Sequence, residues 1–394
     1  VSPLIPSASL QPAPHFDVLP PLSLYIHVPW CVRKCPYCDF NSHEARGELP
    51  EAAYVAALLA DLEMTLPQVW GRPVLTVFIG GGTPSLLSVS ALDALLSGVR
   101  ARLPLAADAE ITLEANPGTV EAEKFAGFRA AGVNRLSLGI QSLNDRHLKA
   151  LGRIHDADEA RRAAELALGT FDNVNLDLMY GLPEQTVAEA EADLAAAIAL
   201  GSQHLSAYHL TIEPNTWFHR YPPVVPDDDT AAAMQEIVEA QLAAAGFEHY
   251  ETSAFARPGL RSRHNLNYWM FGDYLGIGAG AHVKLSFKNN ILRESRTRQP
   301  KAYLERAGSD AVFSERRDIT VAELPGEFMM NALRLNDGFD LDLFSARTGL
   351  DLTCILPQLD AAETRGLLTR DHRRVLPTAL GRRFLNDLIG LFFD

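Results

Sequence analysis

Cysteine is scarce in this chain, with four in 394 residues. So few thiols exclude a disulfide-stapled secreted scaffold and lead us to expect a reducing compartment, the cytoplasm. Long apolar runs are missing too. No stretch of about 18 or more apolar residues occurs, so no membrane span is expected. Basic residues are in deficit: 35 Lys and Arg stand against 49 Asp and Glu, for a formal net charge of -14. That balance argues against general affinity for nucleic-acid phosphates or anionic lipid. Low-complexity tracts are absent. The opening residues 1–20, rich in Pro and Ser, lack a basic region followed by an apolar core. They read as a flexible tail and not as a secretory signal. What is present is ordinary for a globular chain, 47% hydrophobic and 21% charged. The length allows one large domain and a smaller one.

Three of the four cysteines share one short stretch, Cys31-x3-Cys35-x2-Cys38, directly after the apolar run Leu22 to Val28. Three thiolates on a tight loop can hold three irons of a [4Fe–4S] cluster and leave the fourth iron open to a small molecule. Clusters otherwise take four cysteines, so a set of three is informative. Zinc is the competing ligand, with His27 or His43 completing the set. Structural zinc favours paired ligands repeated further along, and no second pair exists here.

Apolar runs alternate with helical patterns after this loop. Strand patterns at Leu22–Val28, Val74–Ile79, Glu110–Glu114, Arg135–Gln141, Val174–Met179 and His204–Glu213 are separated by helical ones. Such alternation means parallel β/α units, and runs without clean polar alternation fit strands covered on both faces. Glycine or polar residues mark nearly every strand's C-terminal end, where β/α barrels build their sites. The fold class is therefore α/β, a partial barrel of six units spanning residues 21–285. From about Ile291 the pattern turns helical and Arg-rich. Helices at Leu341–Thr348, Leu356–Thr364 and Ala379–Phe393, with a hairpin in Gly366–Leu376, predict a winged-helix-like domain over residues 286–394. Arg370, Arg373 and Arg374 in the wing read as a solvated turn in so acidic a chain. Cys354, on an apolar stretch, is expected to be buried.

The cysteine spacing, with aromatic Tyr37 before the last cysteine, resembles the signature of radical S-adenosylmethionine proteins. The flanking Tyr25-x-His27-x-Pro29-Trp30-Cys31 is similar to one branch of them, the oxygen-independent coproporphyrinogen III oxidases and the related HemW haem chaperones. The resemblance implies a (β/α)6 barrel. It also implies a cluster on Cys31, Cys35 and Cys38 whose open iron binds S-adenosylmethionine, and a flavodoxin- or ferredoxin-type reductant. Gly80-Gly-Gly-Thr83 resembles the family's Gly-Gly motif, so Gly81, Gly82 and Thr83 are expected beside the methionine part of that cofactor. Gln141, Arg153 in Leu-Gly-Arg-x-His, and Asp177 in Asp-Leu-x-x-Gly-Leu-Pro match the family pattern at successive strand ends. By resemblance they line the same pocket, as does Tyr25. Glu114 sits in an otherwise apolar strand and needs a cation or amine to offset its burial.

Two departures separate the chain from the oxidases. Their motif continues with a cysteine two places after the third, where Phe40 stands here, and they carry a longer N-terminal region. Arg263-His264-Asn265-Leu-Asn-Tyr268-Trp269 resembles the His-Asn-x-x-Tyr-Trp motif linked to haem in the chaperones. Histidine is a common iron ligand, and Tyr and Trp offer flat faces to a macrocycle. The expectation is a haem chaperone with His264 as first and His282 as second candidate for iron, and with His264, Asn265, Tyr268 and Trp269 at the haem. Gly276, Gly278 and Gly280 are expected on one strand face with something large against them. Implied partners are haem, recipient haem proteins such as respiratory enzymes, and through them some membrane contact; a dimer is compatible with the chain. The alternative is a coproporphyrinogen III oxidase that decarboxylates propionates.

Overall fold

The computed structural model describes residues 13–118 and 122–393. Residues 1–12 of the expected tail lie outside the described residues. Its last part is anchored. The His15 amide donates to the Gly349 carbonyl at 3.0 Å, the Phe16 amide to the Lys288 carbonyl at 2.9 Å, and the Phe16 ring is buried.

Six apolar stretches form parallel strands: β1 Leu22–Val28, β2 Val74–Gly81, β3 Leu105–Ala115, β4 Arg135–Gln141, β5 Val174–Tyr180 and β6 His204–His209. Between them run α1 Glu51–Thr65, α2 Val89–Arg102, α3 Phe125–Ala131, α4 Asp145–Ala150, α5 Ala157–Thr170 and α6 Val187–Ala199. Each strand pairs with the next in chain order. A helical crossover returns the chain beside the strand it left, parallel to it. Local chemistry sets the helix starts. Ser88 caps α2, while Asp156 with Glu159 and Thr186 with Glu189 form reciprocal capping boxes on α5 and α6.

The sheet does not close. After α7 Asp228–Ala244, β7 Glu248–Glu251 and β8 Ala254–Ala256 add antiparallel beyond β6. The chain then crosses back through α8 Arg263–Trp269. There β9 Asp273–Ile277 pairs parallel with the other edge of β1. Strands β10 His282–Phe287, β11 Asn290–Arg296 and β12 Phe313–Asp318 continue antiparallel, with α9 Pro300–Arg306 between the last two. The result is a curled sheet in the order β12-β11-β10-β9-β1-β2-β3-β4-β5-β6-β8-β7.

The helical module expected from Ile291 therefore begins later. Asn290–Arg296 and Phe313–Asp318 belong to the sheet, and Arg293, Arg296, Arg316 and Arg317 lie in these strands and not on a helix face. Arg296 is fully buried and pairs with Asp61 at 2.9 Å and Glu294 at 3.0 Å. Charge inside the sheet hid its alternation. The C-terminal part comprises α10 Leu324–Ala332, β13 Phe339–Asp340, α11 Leu341–Thr348, α12 Leu356–Thr364, β14 Leu368–Arg370 and β15 Arg374–Pro377. Its three strands pair in the order β13-β15-β14, giving helices with a hairpin wing around a separate apolar core. The last expected helix breaks at Phe384 into α13 Ala379–Arg383 and α14 Leu385–Gly390. Arg370 is engaged by Asp360 and Glu363 of α12, and Arg373 approaches Asp340. Cys354 is exposed, against expectation. It stands on a 3-10 turn whose Ile355 turns inward in its place. Among the described residues no helix is long and apolar enough to cross a membrane.

Candidate functional site

Loops and strand ends at the C-terminal side of β1 to β6 surround a cavity of about 350 Å³. Past Val28 the chain turns, and Trp30 and Cys31 pair in parallel with His43 and Glu44. That short ladder closes the cysteine loop at its base. Within it the Cys38 amide donates to the Cys35 carbonyl at 3.2 Å. Cys31, Cys35 and Cys38 are free thiols and all three face the cavity. Burial pushes the Cys31 thiol up, opposed by a hydrogen bond from Thr83. Burial also raises Cys38, opposed by Ser42, whose hydroxyl stands 3.6 Å from the sulfur. Among the described residues no three His, Cys, Asp or Glu side chains gather tightly enough for a single metal ion. A cube of four irons spans a wider triangle of thiolates than one ion does. The donor chemistry, three unbonded thiols turned to one cavity, fits the cluster.

The end of β2 is clamped to this loop. Gly82 and Thr83 donate their amides to the Val28 and Trp30 carbonyls, each at 2.7 Å. A side chain on Gly82 would stand 2.5 Å from the Trp30 carbonyl oxygen, and one on Gly81, at φ +115°, would enter the His27 ring. Both glycines line the cavity, but the space beside Gly81 is filled by His27 of β1 and that beside Gly82 by the Trp30 backbone at the start of the cysteine loop. Their absent side chains let strand and loop meet.

Two carboxyl groups lie side by side below. Glu114 accepts the Gly81 amide at 3.0 Å, and burial together with repulsion from Asp177 pushes it up to about 7. Asp177 accepts from Ser137 at 3.1 Å and Asn175 at 2.8 Å, and burial raises it. Neither is ion-paired among the described residues. Opposite them, Arg153 binds the Gly139 carbonyl at 2.9 Å, Asn116 at 2.7 Å and Cys35 Sγ at 3.4 Å. Asn116 in turn donates to Thr83 at 2.9 Å. A continuous polar chain thus joins the glycine turn to the cysteine loop. Gln141 ends β4 at φ +64°, a left-handed conformation that turns the strand out of the cavity wall. Tyr37 lines the cavity and leans on Phe218.

The His-Asn-x-x-Tyr-Trp segment is helix α8, set at the N-terminal ends of the strands on the face that carries the cavity. Glu110 accepts the Arg263 and His264 amides at 3.1 and 3.0 Å, a carboxylate capping the helix N-terminus. His264 Nδ1 bonds Thr76 at 2.7 Å, and Asn267 donates to Ser23 at 2.9 Å. His264 is 1% exposed. Burial and nearby Arg135 lower it to about 3, so the ring is neutral, and its Nε2 has no partner. The helix is the floor of the barrel. Asn265 reaches the cavity from below, whereas Tyr268 lines a second cavity and Trp269 lies outside under Arg334. Gly276, Gly278 and Gly280 do not share a strand face: β9 stops at Ile277, and the last two adopt positive φ. What lies against them is this chain itself, at His282, His27 and Asn41.

Residues 25–197 match the Radical SAM superfamily and residues 319–384 the HemN C-terminal domain. The Heme chaperone HemW of Escherichia coli K12 is 54% identical over 378 residues, covering 95% of this chain and 98% of its own. The Heme chaperone HemW of Haemophilus influenzae is 47% identical over 380 residues, covering 95% and 98%. The chain belongs to the HemW family of radical SAM proteins. The solved coproporphyrinogen III oxidase HemN of Escherichia coli, a radical SAM enzyme, shares its fold, with a TM-score of 0.80 at 23% identity over 95% of this chain and 90% of that one. The Radical SAM match carries with it a [4Fe–4S] cluster and S-adenosylmethionine as the cofactors of the superfamily.

Within this HemW fold one cavity gathers Cys31, Cys35, Cys38, Tyr37, Gly81, Gly82, Thr83, Glu114, Gln141, Arg153 and Asp177. Tyr25 is not among its walls. Its hydroxyl bonds His27 at 3.0 Å and its ring lines the second cavity. Sequence reasoning missed Arg135 and Asn116. Arg135 is 2% exposed, lines the cavity and has an unpartnered Nε. Its parity with Gly139 and Gln141 along β4 was the available signal, since residues two apart share a face.

Proposed function

We propose that the chain is a haem chaperone that binds a [4Fe–4S] cluster, S-adenosylmethionine and haem, and passes haem to recipient haem proteins in the cytoplasm or at the membrane surface. The observation that carries this reading is near full-length similarity, at 54% and 47% identity, to proteins named heme chaperones. Phe40, 65% exposed where the oxidase motif places a further cysteine, supports it.

Cys31, Cys35 and Cys38 would hold the cluster, and Gly81, Gly82 and Thr83 would flank the methionine end of S-adenosylmethionine. Glu114 and Asp177 are buried carboxyl groups without an ion pair among the described residues, and a bound ammonium or sulfonium would favour their ionised forms. Arg135 and Arg153 offer the complementary positive side for a carboxylate. When bound, the cluster with S-adenosylmethionine supplies one-electron chemistry, and the protein's part is position and exclusion of water. The floor helix α8 excludes water from below, and the clamp between the glycine turn and the cysteine loop holds the thiols in place.

The test is anaerobic reconstitution with iron and sulfide, then haem titration followed by absorbance in wild type and His264→Ala. Haem uptake by the wild type, weakened in the variant, supports the chaperone. No haem uptake, with coproporphyrinogen III converted when reductant and S-adenosylmethionine are supplied, replaces it with the oxidase.

A further inference from the structure

A second cavity, of about 490 Å³, lies on the β9 side of the first and shares Phe40, Gly81 and Glu114 with it. That volume is in the range of pockets that bury a small organic ligand. Asn41 and Gly280 line it too, and its remaining walls are aromatic or basic: Tyr25, Tyr268, Tyr274, His27, His282 and Arg298. Tyr268 and Tyr274 stand 4.4 Å apart between ring centroids.

The two histidines differ in what they have free. His27 uses both ring nitrogens, Nδ1 with the Tyr25 hydroxyl at 3.0 Å and Nε2 with the Asn41 carbonyl at 2.9 Å. His282 opens β10, is exposed, and makes no hydrogen bond through its ring among the described residues. Arg298 is exposed and its guanidinium has no ion pair among the described residues. Its carbonyl accepts from Asn41 at 2.9 Å and from His43. An aromatic wall, an unengaged imidazole and an unpaired guanidinium together recognise a flat macrocycle that bears carboxylates and a metal with an open axial position.

We propose that haem sits in this second cavity, with His282 donating the ring-nitrogen lone pair to iron and Arg298 facing a propionate. The inference rests on the haem reading above and changes which histidine serves it. His264 has its Nδ1 committed to Thr76, and its ring is stacked on Phe78 at 5.0 Å and edge-on to Tyr268 at 5.0 Å. Those rings stand between it and either cavity. His264 is then a positioning residue that sets Tyr268 against the macrocycle.

The experiment is haem titration of the full, reconstituted chain in four forms: wild type, His282→Ala, His264→Ala and Arg298→Gln. His282→Ala should lose the imidazole-ligated haem spectrum, and added imidazole should restore it. Arg298→Gln should weaken binding with the spectrum kept, and His264→Ala should keep the ligation spectrum while binding weakens. Iron and sulfide content, equal in wild type and His282→Ala, shows that the variant is folded. A wild type that binds haem with His282→Ala unchanged overturns this assignment and leaves the chaperone standing. A wild type that binds no haem overturns both.

Discussion

Arg153 donates to Cys35 Sγ at 3.4 Å while the same guanidinium holds Asn116 and the Gly139 carbonyl. One planar fork thus ties the turn after α4 to the cysteine loop and to the end of β4. Arg153→Ala would leave these acceptors without their donor, at a cost of about 1–3 kcal/mol. Iron retained per chain after reconstitution should fall with it. Arg153→Lys should recover little of either, since an ammonium cannot serve several directions as a fork does. Unchanged iron content in Arg153→Ala would remove this residue from the cluster's support.

Cys31→Ser, Cys35→Ser and Cys38→Ser should each abolish cluster assembly, read as loss of iron and acid-labile sulfide. Cys354→Ser should retain both, because that thiol is exposed on the C-terminal part. If any loop variant keeps a full complement of iron and sulfide, the three-thiolate assignment is wrong.

Glu114 predicts a pH dependence. Its pKa of about 7 in the folded chain lies above the ordinary value of 4.5. Between those values the folded chain keeps a proton that the unfolded chain has released, so stability falls as pH rises through this window. Glu114→Gln should therefore stabilise the cofactor-free protein at pH 8, by on the order of 1–3 kcal/mol, and have little effect near pH 4.5. Glu251, also raised to about 7 by burial, acts in the same window, and Glu251→Gln measures its share. Thermal melts at the two pH values decide; an equal effect of Glu114→Gln at both would refute the linkage.

Gly82→Ala should displace the cysteine loop, because the added carbon would meet backbone atoms of Trp30 at 2.5 to 2.9 Å. Overpacking of this kind costs about 1–3 kcal/mol. The expected result is a folded protein with reduced cluster content, measured by circular dichroism beside iron analysis. Wild-type iron content in this variant would mean that the clamp tolerates movement.

The alternation of strands and helices was legible, because Leu22–Val28 and Arg135–Gln141 place Leu and Ile at every second position and helical patterns separate the strands. The cavity was legible at strand ends where glycine and lone polar residues interrupt apolar runs, as at Gly81 and Glu114. Three things were not. Arg296 is charged yet buried, and its partner Asp61 is remote in sequence, so β11 could not be read as a strand. Tyr25 and Tyr268 face a cavity that forms only when β9 pairs with β1, and no local pattern encodes that pairing. The glycines after Tyr274 look like a cradle for a ligand, whereas they accommodate His27, Asn41 and His282.

The seal beneath the barrel has a consequence for synthesis. A ribosome releases all six core strands before it makes Arg263–Trp269, the helix that plugs them, and Asp273–Ile277, the strand that flanks the first. Until then Glu110, Thr76 and Ser23 lack the partners that α8 brings, and the interior stands open to water from below. A closed chamber for an oxygen-sensitive cofactor then awaits synthesis as far as Ile277, and a fragment that ends at β6 carries the three cysteines without that chamber to protect what they bind.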